Sequence, residues 1–327
     1  MSKYGLGYRH LNEFEKRVYD AFEKALHNNE IDVEIPMCED ACKILNTVLG
    51  DNPDIIHVPI SKLVYTKGLF SKKVSLVTCF SKKQRILMEE ELKRRVEEIV
   101  WEVDKNARND RDILMGISEY FQRNIKYDYS QVNSTIKSNS NAHSAYGALV
   151  QNLAVCEGVS KAYSLVLSYF GISSMVVSGK AVESVLPGAN HSWNIVEYEN
   201  QFYHCDITWD LCCCAEGMYF YRYFGLDDDE MALDHQWDLS KTPNCSGDKL
   251  SYYKHNHLMA YSIDQISDII RRQYKNGNSI IRLKVDDKAT FYQDENIIIN
   301  EKIRLALEGQ GLKYYWDNKT RSLTILV

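Results

Sequence analysis

The chain has 327 residues, 45% hydrophobic and 26% charged, a globular composition that excludes a disordered, collagen-like or low-complexity protein. Its 39 Lys and Arg stand against 45 Asp and Glu, a formal net charge of −6, so it lacks the basic surplus that nucleic-acid phosphates require. The length predicts two or three domains.

Residues 11–28 place Phe14, Val18, Ala21, Phe22 and Ala25 on one helical stripe. A short helix over Glu39–Val48 and strands over Ile55–Ile60 and Val74–Phe80 complete an α+β lead-in, residues 1–80. A long helix comes next over Lys83–Ala107, with Leu92, Val96, Ile99, Val100 and Val103 inward and mixed charge outward. After it stand a helix over Arg111–Ile125 and a Ser/Asn-rich loop over Asn133–Asn141. Cys156–Phe170 reads as a buried helix ended by Gly171, which reaches positive φ without steric cost. Met175–Val177 is a strand, and His191–Tyr198 with Gln201–Ile207 form a hairpin turning at Glu199-Asn200. The middle domain spans 81–249. A third, α+β domain occupies 250–327: a helix from the capping-box pattern Ser262-Ile-Asp-Gln265 to Gly277, a strand Ser279–Val285, a helix Glu295–Leu307 ending near Gly309, and strands Leu312–Trp316 and Ser322–Val327.

No apolar run approaches the ~18–20 residues of a bilayer span, and the N-terminus has no signal-peptide core, so a cytoplasmic protein without membrane contact is expected. The nine cysteines are an odd number with three adjacent, Cys212–Cys214, which fits a reducing compartment better than a disulfide framework. Cys38 and Cys42 are four apart, but no CxxC or spaced His pair accompanies them, so no metal is expected.

Three residues of the middle domain carry chemistry. Cys156 opens a helix, where the positive end of the dipole favours thiolate; taken alone it reads better as a buried, inert thiol. With Tyr198 opposite Gln201, Trp193 falls opposite Asp206 and His191 opposite Thr208, so His191, Trp193 and Asp206 share a face and Asp206 is the diagonal neighbour of His191. Diagonal positions lie ~7–8 Å apart, within reach of imidazole and carboxylate. Taken alone, this is also the pattern of a polar hairpin face. Together the three supply a nucleophile, a group able to take and return its proton, and a carboxylate to orient that group. Trp193 and Trp209 flank the His and Asp, either walling a cleft or packing across strands. The acidic run Asp227–Glu230 reads as a helix start rather than a cation site, and His235, His255 and His257 as structural or surface residues.

The blocks Asn141-Ala-His-Ser-Ala-Tyr-Gly-Ala-Leu149, Ala154-Val-Cys-Glu-Gly158, His191-Ser-Trp-Asn-Ile-Val196 and Tyr203-His-Cys-Asp-Ile-Thr-Trp-Asp210 resemble the motifs of bacterial transglutaminase-like proteins. The resemblance covers about residues 110–237. The lead-in, His10–Tyr19 to Asn52–Ile56, resembles the region preceding this domain in Firmicutes-type proteins. The resemblance implies an α+β, papain-like core, a Cys-bearing helix packed on an antiparallel sheet, flanked here by small N- and C-terminal modules. It implies Cys156 as nucleophile, His191 as base and acid and Asp206 as orienter, in a cysteine-dependent amide hydrolase or acyltransferase working through a thioester, with peptidase-like hydrolysis placed ahead of protein crosslinking. A non-catalytic protein-binding module is the alternative from another class. The expected partner is a protein or peptide substrate, with no cofactor. For the oxyanion, the backbone N–H of Cys156 is the first donor expected, with Tyr146 or Gln151 as the second.

Overall fold

The computed structural model describes residues 5–56, 63–67, 71–76, 78, 80–132, 140–182, 189–211, 218–307 and 313–327. The expected strand over 57–60, most of the Ser/Asn-rich loop, Gly309 and Cys212–Cys214 lie outside the described residues. The chain divides into two compact units, Met1–Gly247 and Asp248–Val327.

The first unit opens with α1 (Leu6–Arg9) and α2 (Glu13–His27). Asn12 caps α2 by accepting from the N–H of Phe14 and Glu15, and Glu15 accepts the Asn12 N–H in return. Then come β1 (Asp32–Pro36), α3 (Ala41–Asp51), β2 (Leu63–Lys67) and β3 (Ser71–Leu76). The strands form an antiparallel sheet in the order β1-β3-β2. Phe22, Leu26, Ile35, Ile44, Leu45 and Val74 make its core. This lead-in does not stand apart: α1 and α3 pack on a strand of the main sheet, which is why residues 1–80 share one unit with the middle domain.

The long helix is α4 (Lys82–Asp104), capped by Ser81 with Gln84, and α5 (Asp110–Asn124) stands next under an Asn109 cap. β4 (Lys126–Tyr127), α6 (Tyr129–Val132), α7 (Ala145–Leu149) and β5 (Leu153–Ala154) lead to α8 (Cys156–Tyr169). Gly171 takes φ +73° after its last turn, as expected. β6 (Ser174–Ala181), β7 (Ala189–Tyr198) and β8 (Gln201–Cys205) come next, then α9 (Ile207–Leu211), β9 (Phe224–Leu226), α10 (Asp228–Met231) and β10 (His235–Gln236). The sheet order is β10-β6-β7-β8-β9, antiparallel throughout. The architecture is thus α+β with a helix-backed antiparallel sheet.

Two details set the helix on the sheet. The Asn194 amide on β7 donates to the Ser160 carbonyl at 3.0 Å and to Ser164 Oγ at 2.9 Å, tying the middle of α8 to the strand that carries His191. Gly158 lets α8 close on the segment before α7: a Cβ there would sit 2.4 Å from the Ala142 carbonyl oxygen.

The second unit contains α11 (Tyr252–His255), β11 (Met259–Ala260), α12 (Ile263–Lys275), β12 (Ile280–Val285), α13 (Glu295–Ala306), β13 (Lys313–Asp317) and β14 (Ser322–Leu326). Its sheet runs β11-β12-β14-β13, with Ile266, Ile270, Ile281, Leu283, Ile298 and Ile325 beneath the helices. The capping box expected at Ser262 does not form. The Ser262 side chain makes no cap bond, and Gln265 Oε1 instead accepts the Tyr261 N–H at 2.7 Å.

Candidate active site

Cys156 is the first residue of α8, and Val155 before it supplies no side-chain cap. The thiol therefore sits at the positive end of a 14-residue helix, partly exposed, with the field of the first-turn amides on it. His191 lies on β7 opposite Gly179 of β6 and is almost fully buried. Its Nε2 is 2.6 Å from Asp206 Oδ2. An ionised carboxylate only accepts, so Nε2 carries the hydrogen, and Nδ1 is left to meet Cys156, whose side chain hydrogen-bonds the ring.

Asp206 arrives by a route the hairpin reading misses. The pairing Tyr198 opposite Gln201 holds, and Glu199 and Asn200 turn with φ 48° and 60°, the two positive values a type I′ turn needs. β8, however, stops at Cys205, after a β-bulge, and α9 begins at Ile207. Thr208 is therefore helical and never faces His191 across a ladder. Asp206 stands at the junction, its N–H bonded to the Tyr223 carbonyl at 2.9 Å and its Oδ1 accepting the Trp209 N–H at 3.2 Å. Oδ2 is thereby aimed at His191.

This geometry dictates the electrostatics. Burial favours neutral imidazole in His191, but the Asp206 charge and hydrogen bond, with a contribution from Cys156, outweigh it and raise its pKa to about 10. Burial likewise opposes the Asp206 charge, yet His191 and His235 hold that carboxyl well below its usual range. Asp210, buried four residues on, is raised to about 7 by burial, which the Arg222 guanidinium only partly offsets. Beside Cys156, Glu157 binds Lys161 Nζ at 2.6 Å and His143 Nδ1 at 2.9 Å.

Trp193 and Trp209 both lie against His191. The Trp193 ring stacks on it at 5.9 Å between centroids, and Trp209 stands 5.4 Å away. Trp193 is fully buried, so it belongs to the floor of the site. Its Nε1–H donates to His204 Nδ1 at 2.9 Å, which fixes the His204 hydrogen on Nε2, facing Asp228 at 2.9 Å. Gly179 makes room for this floor: a Cβ there would meet the Trp193 ring at 2.6 Å and the Gln236 carbonyl at 2.3 Å.

Tyr146 and Gln151 are the side chains expected to supply a second oxyanion donor. The Tyr146 hydroxyl donates its single hydrogen to Glu91 on α4 at 2.5 Å, and Gln151 is exposed in the turn between α7 and β5. The residue missed in the sequence is His235, read there as structural or surface. It is buried, with Nε2 3.2 Å from Asp206 Oδ2. No spacing rule links it to His191, because β10 reaches the site across β6. The acidic run does form a helix start, with Asp227 capping α10 through a capping box with Glu230.

Among the described residues, two clusters have metal-ligating side chains, His191 with Asp206 and His235, and His204 with Asp228 and Cys245. In the first, the 2.6 Å contact is a hydrogen bond with no gap for an ion. In the second, the Trp193 N–H on Nδ1 leaves Nε2 protonated, without a lone pair to offer.

The model of the transglutaminase-like superfamily matches residues 97–207, a span that contains Cys156, His191 and Asp206. No curated protein sequence matches the chain. Among solved structures it is similar to a TGase, at 15% identity over 58% of this chain and 53% of that one, with a TM-score of 0.33. It is also similar to a candidate cysteine protease from Cytophaga hutchinsonii, at 10% identity over 45% of this chain and 61% of that one (TM-score 0.29). A third is a candidate protease from Parabacteroides distasonis, at 9% identity over 44% and 35% (TM-score 0.28). The chain covers less than two thirds of each. By sequence, the match to the transglutaminase-like superfamily covers residues 97–207, and the chain outside that stretch is not part of it.

Proposed function

We propose that this chain is a cysteine-dependent amide hydrolase. The observation that carries the reading is the Cys156–His191–Asp206 line, closed by the 2.6 Å bond between His191 Nε2 and Asp206 Oδ2. Cys156 Sγ attacks the amide carbonyl carbon, and its proton goes to His191 Nδ1. The oxyanion is met by the Cys156 backbone N–H in the first turn of α8. The C–N bond breaks as His191 returns the proton to the departing ammonia or amine, leaving a thioester. Water then attacks, giving its proton to His191. The C–S bond breaks, the carboxylic acid leaves, and Cys156 is restored. Asp206 holds the imidazole in one orientation and stabilises its cation throughout.

Incubating the protein with Gln-containing peptides and a labelled primary amine, followed by mass spectrometry, tests this. Release of ammonia or cleavage should exceed amine incorporation. Dominant incorporation would make the chain a crosslinking transglutaminase, and no product across a broad peptide library would make it a binding module. A reducing, cytoplasmic setting is part of the proposal. It is supported by Cys38, Cys42, Cys156, Cys205 and Cys245, all free thiols, while no described helix is long and apolar enough to cross a membrane.

A further inference from the structure

Asp206 carries a second imidazole. Its Oδ2 lies 2.6 Å from His191 Nε2 and 3.2 Å from His235 Nε2. The other nitrogen of His235, Nδ1, lies 2.6 Å from Asp234 Oδ1. Asp234 in turn accepts the Tyr223 hydroxyl on Oδ2 at 2.6 Å, as Asp206 accepts the Trp209 N–H on Oδ1 at 3.2 Å. Both carboxylates are therefore acceptors, and His235 must satisfy one at each end of its ring. Neutral imidazole has a single N–H, so its other nitrogen would press a lone pair against carboxylate oxygen in a site closed to water. Imidazolium has two.

We propose that His235 is held as an imidazolium between Asp206 and Asp234, a positioning residue that fixes the Asp206 carboxylate and limits how tightly Asp206 holds the His191 proton. The charged and titratable groups facing it come from every neighbouring element. They are His191 on β7, ring centroids 5.4 Å apart, His204 on β8, Asp206 before α9, Tyr223 before β9 and the adjoining Asp234. Asp210 and Arg222 pair beyond Asp206, and Lys180 on β6 is exposed. The two carboxylates also outweigh burial in raising the His235 pKa. The charge state rests on this geometry alone. Its consequence for Cys156 rests on the catalytic reading above.

The test uses the full chain with 15N-labelled histidine. Long-range 1H–15N spectra are recorded from pH 6 to 12, the His235 signals being identified by their loss in His235→Gln. His235 should keep the imidazolium pattern above about pH 6.5, where an ordinary imidazole loses it. His235→Gln offers Asp206 an N–H without a charge, and Asp234→Asn removes one of the two anions that require the second proton. His235→Gln should raise the His191 midpoint by about 1 pH unit, since a cation beside it is lost, and Asp234→Asn should raise it by less, since an anion farther off goes with that cation. The upper inflection of Cys156 alkylation by iodoacetamide should move with it. A single neutral tautomer of His235 at pH 7, or an unmoved His191 midpoint in both variants, overturns the proposal. If His235→Gln does not fold, the wild-type spectra and Asp234→Asn decide it. If the midpoints move as stated but no amide is turned over, the His235 assignment stands and the hydrolase reading falls.

Discussion

Replacing Asp206 with Asn tests how far the thiol depends on a partner it does not touch. The change removes a charge 2.6 Å from His191 Nε2 and keeps an oxygen able to accept its hydrogen. The rise in the His191 pKa from 6.5 to about 10 corresponds to about 5 kcal/mol at ~1.36 kcal/mol per unit. Without the Asp206 charge, burial and the neighbouring His235 pull the imidazole back down, opposed by the contact with Cys156. A base that falls by about three units concedes the proton to the thiol facing it, so the thiolate–imidazolium pair shrinks to a small minority. Iodoacetamide labelling of Cys156 at pH 6 should then slow roughly 100-fold, and His191→Ala should slow it at least as much. Peptide mapping supplies internal controls. Burial raises the Cys205 thiol to about 12 and pushes Cys245 up as well, so neither should react. Wild-type labelling rates in Asp206→Asn, or a Cys156 no faster than Cys38 and Cys42 in the native protein, would refute the reasoning.

The same ion pair sets a pH dependence of stability. His191 has a raised folded-state pKa, so its contribution is complete below 6.5 and is lost as pH rises towards about 10; that of Asp206, lowered in the fold, is present above 3.8 and lost as pH falls below it. Urea midpoints should show a plateau between those limits, and His191→Ala should remove the decline on the alkaline side. Glu157→Gln should cost about 1–2 kcal/mol at pH 7 by urea unfolding. Burial works against the Glu157 charge, yet Lys161 and His143 hold its pKa down to about 2, so the difference from wild type should fade as pH drops from 4.5 towards 2. Gly158→Ala should lower Tm by several degrees, or shift α8 and slow Cys156 labelling, because the new methyl meets the Ala142 carbonyl at 2.4 Å. An unchanged Tm together with an unchanged labelling rate would show that the segment yields freely.

The parts legible in the sequence are those with a local period or local turn chemistry. α5 and α8 lie within a residue of their expected spans and α4 within three, and Glu199-Asn200 announces its hairpin. β1 escapes such a reading, since Asp32-Val-Glu-Ile-Pro36 is a short edge strand with only Val33 and Ile35 buried. Alternation puts Asp206 near His191 on a ladder assumed to continue. The two do meet, but through a helix start, which no alternation pattern records. His235 is out of reach because sequence spacing measures distance along one hairpin, and this residue enters from the far side of β6. The Asp234-His235 pair offers a faint signal, an imidazole with a carboxylate beside it, but nothing in the chain says that a second carboxylate waits at its other nitrogen.

Asp206 answers to two masters. One carboxylate oxygen faces the imidazoles, and the other ties down the Trp209 N–H where strand gives way to helix. In descendants released from the demand for turnover, Cys156 and His191 are therefore free to drift first, whereas Asp206 stays under purifying pressure from folding itself. A retained aspartate here is poor testimony that a relative still works, and the thiol is the letter to check. For the laboratory the same duality means that Asp206→Ala confounds lost chemistry with a frayed α9, while Asp206→Asn, with one oxygen where the carboxylate has two, keeps either the α9 cap or the bond to His191, and a urea midpoint beside the labelling rate tells which.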